Sequence, residues 1–397
     1  MVSINMNILH ISSNYPPDIG GPASSVPYLS RELIARGHNA YVLTKDSPGC
    51  SPYAVEDGVP VYRSRRVPGN FYNPMVAFTK SLAMGVKARG IIKKHDIQLI
   101  HSHDINVSAI AGIIGSKLKK VKKITKFPGD LALETILLRE GHGRSLDELL
   151  DQGDARVRVL EAFQRKICDR YDRILVPSRY MKDALTKYTG VDPGKIDIVY
   201  NGITVYRYPE TEIKALRGRL LGRDRYLVIN ASRMVPWKGL EYLIEAFKAV
   251  PREVRLILIG SGPSRKALER KIRGLNVIFL DKVPHWEIQK YLRASDMFVL
   301  PSLYEPSALA LLDCLATQTP VIATNVGGTP ELITHEKTGL LINPREPQAI
   351  SDSIIRLLGD EGLYNAIKKN QHVELRRHLW DNRIQDYLEV YEKVLAL

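Results

Sequence analysis

The sequence predicts an α/β protein of two Rossmann-like domains, each a doubly wound parallel sheet. Three observations carry that expectation. Short β-rich runs are apolar on both faces, as strands buried between two helical layers must be. Helical patterns separate these runs along nearly the whole chain, and strand–helix alternation of this kind builds parallel sheets. The alternation lapses in a polar stretch at 203–225 and resumes at Tyr226, and 397 residues at about 100–200 per domain suffice for two cores.

In the first half, Asn7–Ser12, Ala40–Thr44, Gln98–Ser102, Lys123–Phe127, Arg173–Pro177 and Asp197–Tyr200 read as strands. Val26–Ala35 reads as a helix, with Gly37 at the usual stop position. In the second half the strands are Tyr226–Ala231, Arg255–Ile259, Val277–Leu280, Met297–Leu300, Val321–Thr324 and Leu340–Ile342, each followed by a helix. The expected domains are 1–204 and 205–378. In 379–397, Ile384, Tyr387, Leu388, Tyr391, Val394 and Leu395 recur at three- and four-residue spacing, an amphipathic helix that needs a surface to cover. Sheets of this type bind ligands beyond the carboxyl ends of their strands, so a central cleft between the domains is the expected site.

Composition narrows the class. With 44% hydrophobic and 25% charged residues the chain is too apolar for a disordered protein. Cys50, Cys168 and Cys314 are few, odd in number and far apart, which argues against a disulfide framework or a zinc ribbon and for a reducing compartment. No apolar run approaches the ~20 residues of a membrane span, and the first residues do not read as a signal peptide. The net charge of +14 leans towards residues 1–203; it suits phosphorylated substrates, anionic lipid or nucleic acid without choosing among them.

Several motifs are missing. The sequence has no P-loop, no G-x-G-x-x-G after the first strand, no H-E-x-x-H and no G-x-S-x-G. It also lacks D-x-D, the usual carboxylate pair for a divalent ion on a sugar nucleotide. Two stretches remain informative. After the strand ending at Ala231, a loop carries Arg233 and Lys238 to a helix expected near Gly239; two cations beside a helix N-terminus suit a diphosphate. Glu305 lies just past the strand Met297–Leu300, and Asp313 stands eight residues on, inside the next helix. That spacing returns Asp313 to nearly the same face about 12 Å along the axis. Carboxylates so placed can each take paired hydrogen bonds from vicinal hydroxyls; the alternative for Asp313 is an exposed helical residue.

The segments ASRMVPWKGLEYLIEAF, LIGSGP, VPHWEIQKYLRASDMFVLPSLYEPSALALLDCLATQTPVIATNVGGTPELI and TGLLINP resemble the C-terminal domain of retaining GT-B glycosyltransferases. The resemblance is to the large group that includes glycogen synthases, sucrose synthases and phosphatidylinositol mannosyltransferases. It extends to ILHISSNYPPDIGGPASSVPYLSRELIARGHNAYVLT at the start and VYNGI at the domain boundary. The resemblance implies a nucleotide-sugar donor, UDP- or GDP-linked, with no other cofactor and no metal. Arg233 and Lys238 would hold its diphosphate, and Glu305, first member of the family's E-x7-E motif, its sugar. Asp313 stands where the family's second glutamate holds the ribose. Gly21 would bring its backbone to the phosphates, and His103, with His101 the competing choice, would stand near the donor sugar. Gly260 and Gly262 would line the nucleotide pocket, with the backbone at Lys282–Val283 against the base. The C-terminal helix would cross back to the N-terminal domain.

The sequence also departs from that pattern. Ala308 replaces a common glycine, Pro306 offers no N–H, Asp281 stands where glycine is frequent, and Thr204 where N-G-[IV]-D has its aspartate. None removes a cation. The implied reaction retains configuration at the sugar, with positive potential on the departing diphosphate, no protein nucleophile, and Glu305 and His103 orienting the sugar. Two other readings share this frame: a sugar-nucleotide epimerase, and a non-catalytic scaffold suggested by Asp313 and Ala308.

The acceptor, a glycan or a lipid-linked molecule, is expected on the first domain, with Asp130 and Glu134 as candidate contacts. The stretch 71–94 mixes Phe71, Met75, Val76, Phe78, Leu82, Val86, Ile91 and Ile92 with Lys80, Lys87, Arg89, Lys93 and Lys94, and Lys117–Lys126 holds six lysines in ten residues. Such a surface suits peripheral association with the cytoplasmic face of a membrane; the alternative is a core-facing helix with a solvated lysine rim. Nucleic acid is not an expected partner, because no aromatic-basic recognition motif accompanies the charge.

Overall fold

The computed structural model describes residues 5–18, 20–69, 74–129, 134, 136, 138 and 155–396. These fall into two compact units: one takes 5–129, 134, 155–200 and 383–396, the other 136, 138 and 201–382. Asp130 and Phe71 lie outside the described residues.

The first unit begins with β1 (Asn7–Ser12), α1 (Gly21–Ala35), β2 (Asn39–Thr44), β3 (Tyr53–Glu56), β4 (Val59–Arg63) and α2 (Pro74–Lys94). It continues through β5 (Leu99–Ser102), α3 (Val107–Gly115), β6 (Lys122–Lys126), α4 (Ala155–Cys168), β7 (Arg173–Val176), α5 (Arg179–Ala184) and β8 (Ile196–Ile198). The strand order is β3-β4-β2-β1-β5-β6-β7-β8. β5, β7 and most of β1 are buried along their length, as their unbroken apolar runs predict.

Two elements were not foreseen. β3 and β4 pair antiparallel, so this sheet is mixed at its edge. Asp57-Gly58 joins them, with φ of 48° and 80°, the positive pair that a two-residue hairpin turn requires. An Asp-Gly between alternating residues is a legible hairpin signal. The first helix also starts at Gly21 rather than Val26. Pro22 occupies its first turn, where the missing N–H costs nothing, so Gly21 belongs to the helix start.

The second unit contains α6 (Glu210–Leu221), β9 (Tyr226–Ala231), α7 (Leu240–Ala246), β10 (Val254–Ile259), α8 (Arg265–Lys271), β11 (Val277–Leu280) and α9 (His285–Ala294). There follow β12 (Met297–Leu300), α10 (Leu309–Thr317), β13 (Val321–Thr324), α11 (Thr329–Leu332), β14 (Leu340–Ile342), α12 (Pro347–Gly359) and α13 (Glu361–Leu375). All its strands are parallel, in the order β11-β10-β9-β12-β13-β14. Renumbered within the unit this is 3-2-1-4-5-6, the doubly wound order whose direction reverses between the first and fourth strands. Helical layers cover both faces; Leu243, Ile244, Ile350 and Ile354 lie in the core on one side and Leu311, Leu312 and Leu315 on the other. The last helix, α14 (Trp380–Leu395), begins in the second unit, and its residues from Arg383 onward pack within the first. Among the described residues no helix is long and apolar enough to cross a membrane.

Candidate functional site

In each sheet the predicted residues gather where the strand order reverses. In the second unit that point lies between β9 and β12, registered Val228 to Met297 and Ile229 to Phe298. The chain leaving β9 forms a loop and a single 3₁₀ turn, Pro236–Lys238, before α7. Arg233 stands exposed on this loop, its guanidinium 5.5 Å from the Trp237 ring. Trp237 is buried and gives the cation an aromatic face to rest on.

Lys238 turns the other way. Its ammonium pairs with the Glu305 carboxylate, which also accepts a hydrogen bond from Ser302 Oγ at 3.2 Å. Glu305 is only 4% exposed, and a carboxylate so buried needs the partner that Lys238 supplies. The two side chains the sequence assigned separately, to diphosphate and to sugar, thus form one ion pair in which Glu305 is buried and Lys238 half-buried. The backbone around Glu305 is clamped as well: its carbonyl accepts from Gly328 N at 2.9 Å. A Cβ on Gly327, whose φ is +57°, would meet that same carbonyl at 2.2 Å, so a glycine at 327 is a packing requirement of the Glu305 loop.

Gly260 and Gly262 sit beside the Arg233 loop. A Cβ there would lie 2.1 Å from the carbonyl of Ser232 and 2.3 Å from that of Met234. Met234 N donates to Ser261 O at 2.9 Å, and Ser264 N to Met234 O at 3.0 Å. The absence of side chains lets the segment 260–264 lie flush against the Arg233 loop. Val283 is half-buried, next to exposed Asp281 and Lys282; Asp281 pairs with Arg265 at 2.6 Å.

α10 starts after Ala308, and no side chain caps its first turn; its N-terminal N–H groups therefore present positive potential beside the Glu305 loop. Asp313 lies within this helix, but it is not an exposed residue. It is 1% exposed, and both oxygens face α9: Oδ1 accepts from Gln289 Nε2 at 3.0 Å, and Oδ2 lies 3.0 Å from His285 Nε2, whose ring is turned out of hydrogen-bond alignment. Burial pulls the His285 imidazole down, but the facing carboxylate outweighs it and raises the pKa above the ordinary value. Gln289 also donates to the Thr204 carbonyl at 2.7 Å and accepts from Tyr206 N at 2.9 Å. Asp313 is thereby tied to the chain entering the unit. Sequence reading missed His285 and Gln289, which present no more signal than a polar helix face.

In the first unit the reversal lies between β1 and β5, where His10 and His101 are register partners. His103 stands just beyond β5, and its ring lies 4.0 Å from that of His101 and 5.2 Å from that of His10. His10 Nδ1 and His103 Nε2 are 3.0 Å apart, and His101 Nδ1 is 2.6 Å from the Tyr391 hydroxyl of α14. Lys126, at the end of β6, is buried rather than part of a solvated lysine rim, and donates to Tyr387 of the same helix at 3.1 Å. Burial holds the His10 pKa down at about 3. His101 and His103 are likewise well below the ordinary range, through burial first and then through neighbouring histidines and Lys126. All three rings are neutral at physiological pH. Gly21 opens α1 at the same strand ends, and Glu134 is half-buried.

Relatives give this geometry a family. The chain is 26% identical over 407 residues to an uncharacterized glycosyltransferase of Methanocaldococcus jannaschii, covering 99% of each. Its fold matches sucrose-phosphate synthase from Thermosynechococcus elongatus, a GT-B glycosyltransferase, with a TM-score of 0.81 at 21% identity over 98% of this chain and 99% of the other. It also matches the Anabaena HepE protein solved in complex with UDP-glucose, with a TM-score of 0.75 at 21% identity over 98% and 100%. Residues 19–207 match Glycosyltransferase Family 4 and residues 214–373 match Glycosyl transferases group 1, and with both domains present the chain belongs to these glycosyltransferases.

Proposed function

We propose that this glycosyltransferase moves a sugar, with retention of configuration and without a metal ion, from a UDP- or GDP-sugar to an acceptor hydroxyl. The observation that carries the reading is the Lys238–Glu305 pair at the strand-order reversal of the second unit, beside Arg233 and the uncapped end of α10. Arg233 and Lys238 take the diphosphate. On donor binding Lys238 shares its ammonium between phosphate and Glu305, and Glu305 turns its second oxygen to the sugar hydroxyls. As the glycosidic bond breaks, negative charge grows on the leaving diphosphate, where two fixed cations and a helix terminus stabilise it without reorganising. The leaving phosphate oxygen, on the face the acceptor approaches, takes the acceptor proton. Asp313 holds the ribose through the lone pairs that Gln289 and His285 leave open. Gly260, Gly262 and Val283 accommodate the nucleoside, while Gly21 and His103 serve the phosphates and the sugar.

Calorimetry with nucleoside diphosphates in EDTA tests the donor half: a 1:1 complex is expected, and binding that appears only on adding magnesium would overturn the metal-free reading. NMR of the product anomer tests retention, and an inverted anomer rejects it.

The acceptor is proposed to be a glycan or lipid-linked molecule met at the cytoplasmic face of a membrane. Support comes from α2. Ser81, Met84, Ala88, Ile91 and Ile92 are buried, whereas Met75, Phe78, Leu82 and Val86 form an exposed apolar row at the spacing of one helix face. Lys87, Lys93 and Lys94 are exposed on the same helix. A helix apolar towards both core and solvent, with cations beside its outer row, suits an anionic bilayer. The chain should co-sediment with phosphatidylglycerol vesicles and lose that on Phe78→Glu with Leu82→Glu; equal sedimentation of that variant would dismiss the membrane role. No nucleic acid is proposed as a partner.

A further inference from the structure

The three histidines of the first unit have more ligand capacity than sugar contact uses. One ring nitrogen from each of His10, His101 and His103 can be chosen so that all lie within 4.8 Å of one another, and all three residues are buried. The Tyr391 hydroxyl occupies His101 Nδ1, and His10 Nδ1 faces His103 Nε2. His10 Nε2 and His101 Nε2 are left over, both buried and without a hydrogen-bond partner among the described residues. Buried polar atoms are nearly always satisfied, and a ligand held by His10 Nδ1, His103 Nε2 and His101 Nε2 would satisfy the second of these orphans.

We propose that His10, His101 and His103 form a binding site for a first-row transition ion that favours imidazole, zinc(II) foremost. A tetrahedral zinc site with Zn–N near 2.0–2.1 Å puts its nitrogens about 3.3 Å apart. The His10–His103 separation of 3.0 Å is within a few tenths of that, and the third nitrogen closes by a side-chain shift of at most about 1.5 Å. Tyr391 acts on the outer side: with its oxygen accepting His101 Nδ1–H, the Nε2 lone pair is left for the ion, the usual arrangement behind a metal-bound histidine. Magnesium and calcium are poor occupants of an all-nitrogen set. The Lys126 ammonium, which already opposes positive charge on His101 and His103, weakens the site by repulsion. The ion ties β1 to β5 and takes a His103 nitrogen, so it competes with any sugar contact by that residue and plays no part at the diphosphate.

The test reads metal, not transfer. The full chain, stripped with a chelator, is titrated with zinc against a chromophoric competitor, and with cobalt(II) for its visible spectrum. One ion per chain and the intense bands of four-coordinate cobalt are expected. His10→Gln and His101→Gln should each lose at least about 100-fold in affinity and Tyr391→Phe about 10-fold, while Lys126→Met should tighten binding. His335→Gln with His372→Gln, both exposed, should change nothing. The proposal fails if zinc binds the His10→Gln chain as tightly as the wild type. It fails equally if cobalt shows only the weak six-coordinate spectrum, or if Tyr391→Phe and Lys126→Met leave affinity unmoved. Should the histidine variants not fold, by circular dichroism, the wild-type cobalt spectrum and Lys126→Met decide alone.

Discussion

Lys238→Met is expected to slow transfer by about 100- to 1,000-fold, the usual loss when one group stabilising a transition-state charge is removed. The fall should appear in kcat, because the ammonium matters most when the diphosphate acquires its full charge. A drop of less than 10-fold would place Lys238 away from the leaving group. Stability should change with it. Glu305 is 4% exposed, and without its partner the carboxylate is a buried, uncompensated charge worth about 3–5 kcal/mol of destabilisation. Ser302 Oγ, at 3.2 Å, recovers only the share of one hydrogen bond. Adding Glu305→Gln to Lys238→Met removes the charge while keeping the shape, so most of the lost stability should return although activity does not. Urea unfolding of the two single variants and the double variant closes this cycle. Additive losses would show that the two side chains do not depend on each other.

Acid should unfold the first unit early. His10, His101 and His103 are neutral in the fold because burial lowers their pKa values, while in the unfolded chain they titrate near the ordinary 6.5. Below that pH the unfolded chain takes up three protons that the folded chain refuses. The contribution of these three rings is therefore level above about pH 6.5 and falls as pH drops, by about 1.4 kcal/mol per pH unit for each ring and about 4 for the three together. For His10 the loss continues to about pH 3, its folded value. His285 acts in a different window: its raised value adds stability that is complete below 6.5 and disappears as pH rises through the folded pKa. Urea unfolding between pH 7.5 and 5, with a chelator present, should show the steep limb, and His10→Gln should flatten it by about a third. A curve level across that range would mean the rings are hydrated in the native protein.

These expectations rest on unequal parts of the sequence. Parallel strands such as Tyr226–Ala231 and Met297–Leu300 were legible to the residue, because a fully buried strand needs an unbroken apolar run whatever surrounds it. The edge hairpin Tyr53–Arg63 was missed although Asp57-Gly58 marked it, since one face of an edge strand is wet and its pattern correspondingly weak. Arg233, Lys238, Glu305 and Asp313 could be named from spacing and from resemblance. Their states could not.

By itself the sequence determined the two-sheet architecture and which segments lie at the strand ends, because hydrophobic periodicity and turn residues act within a few positions of the chain. The tertiary structure alone decided that Lys238 and Glu305, 67 residues apart, neutralise each other, that Asp313 is buried against His285 and Gln289, and that Tyr391 meets His101 across 290 residues. Charge, protonation and unsatisfied lone pairs depend on what faces a group through space and on how much water is excluded there. Neither is set until distant segments have packed together.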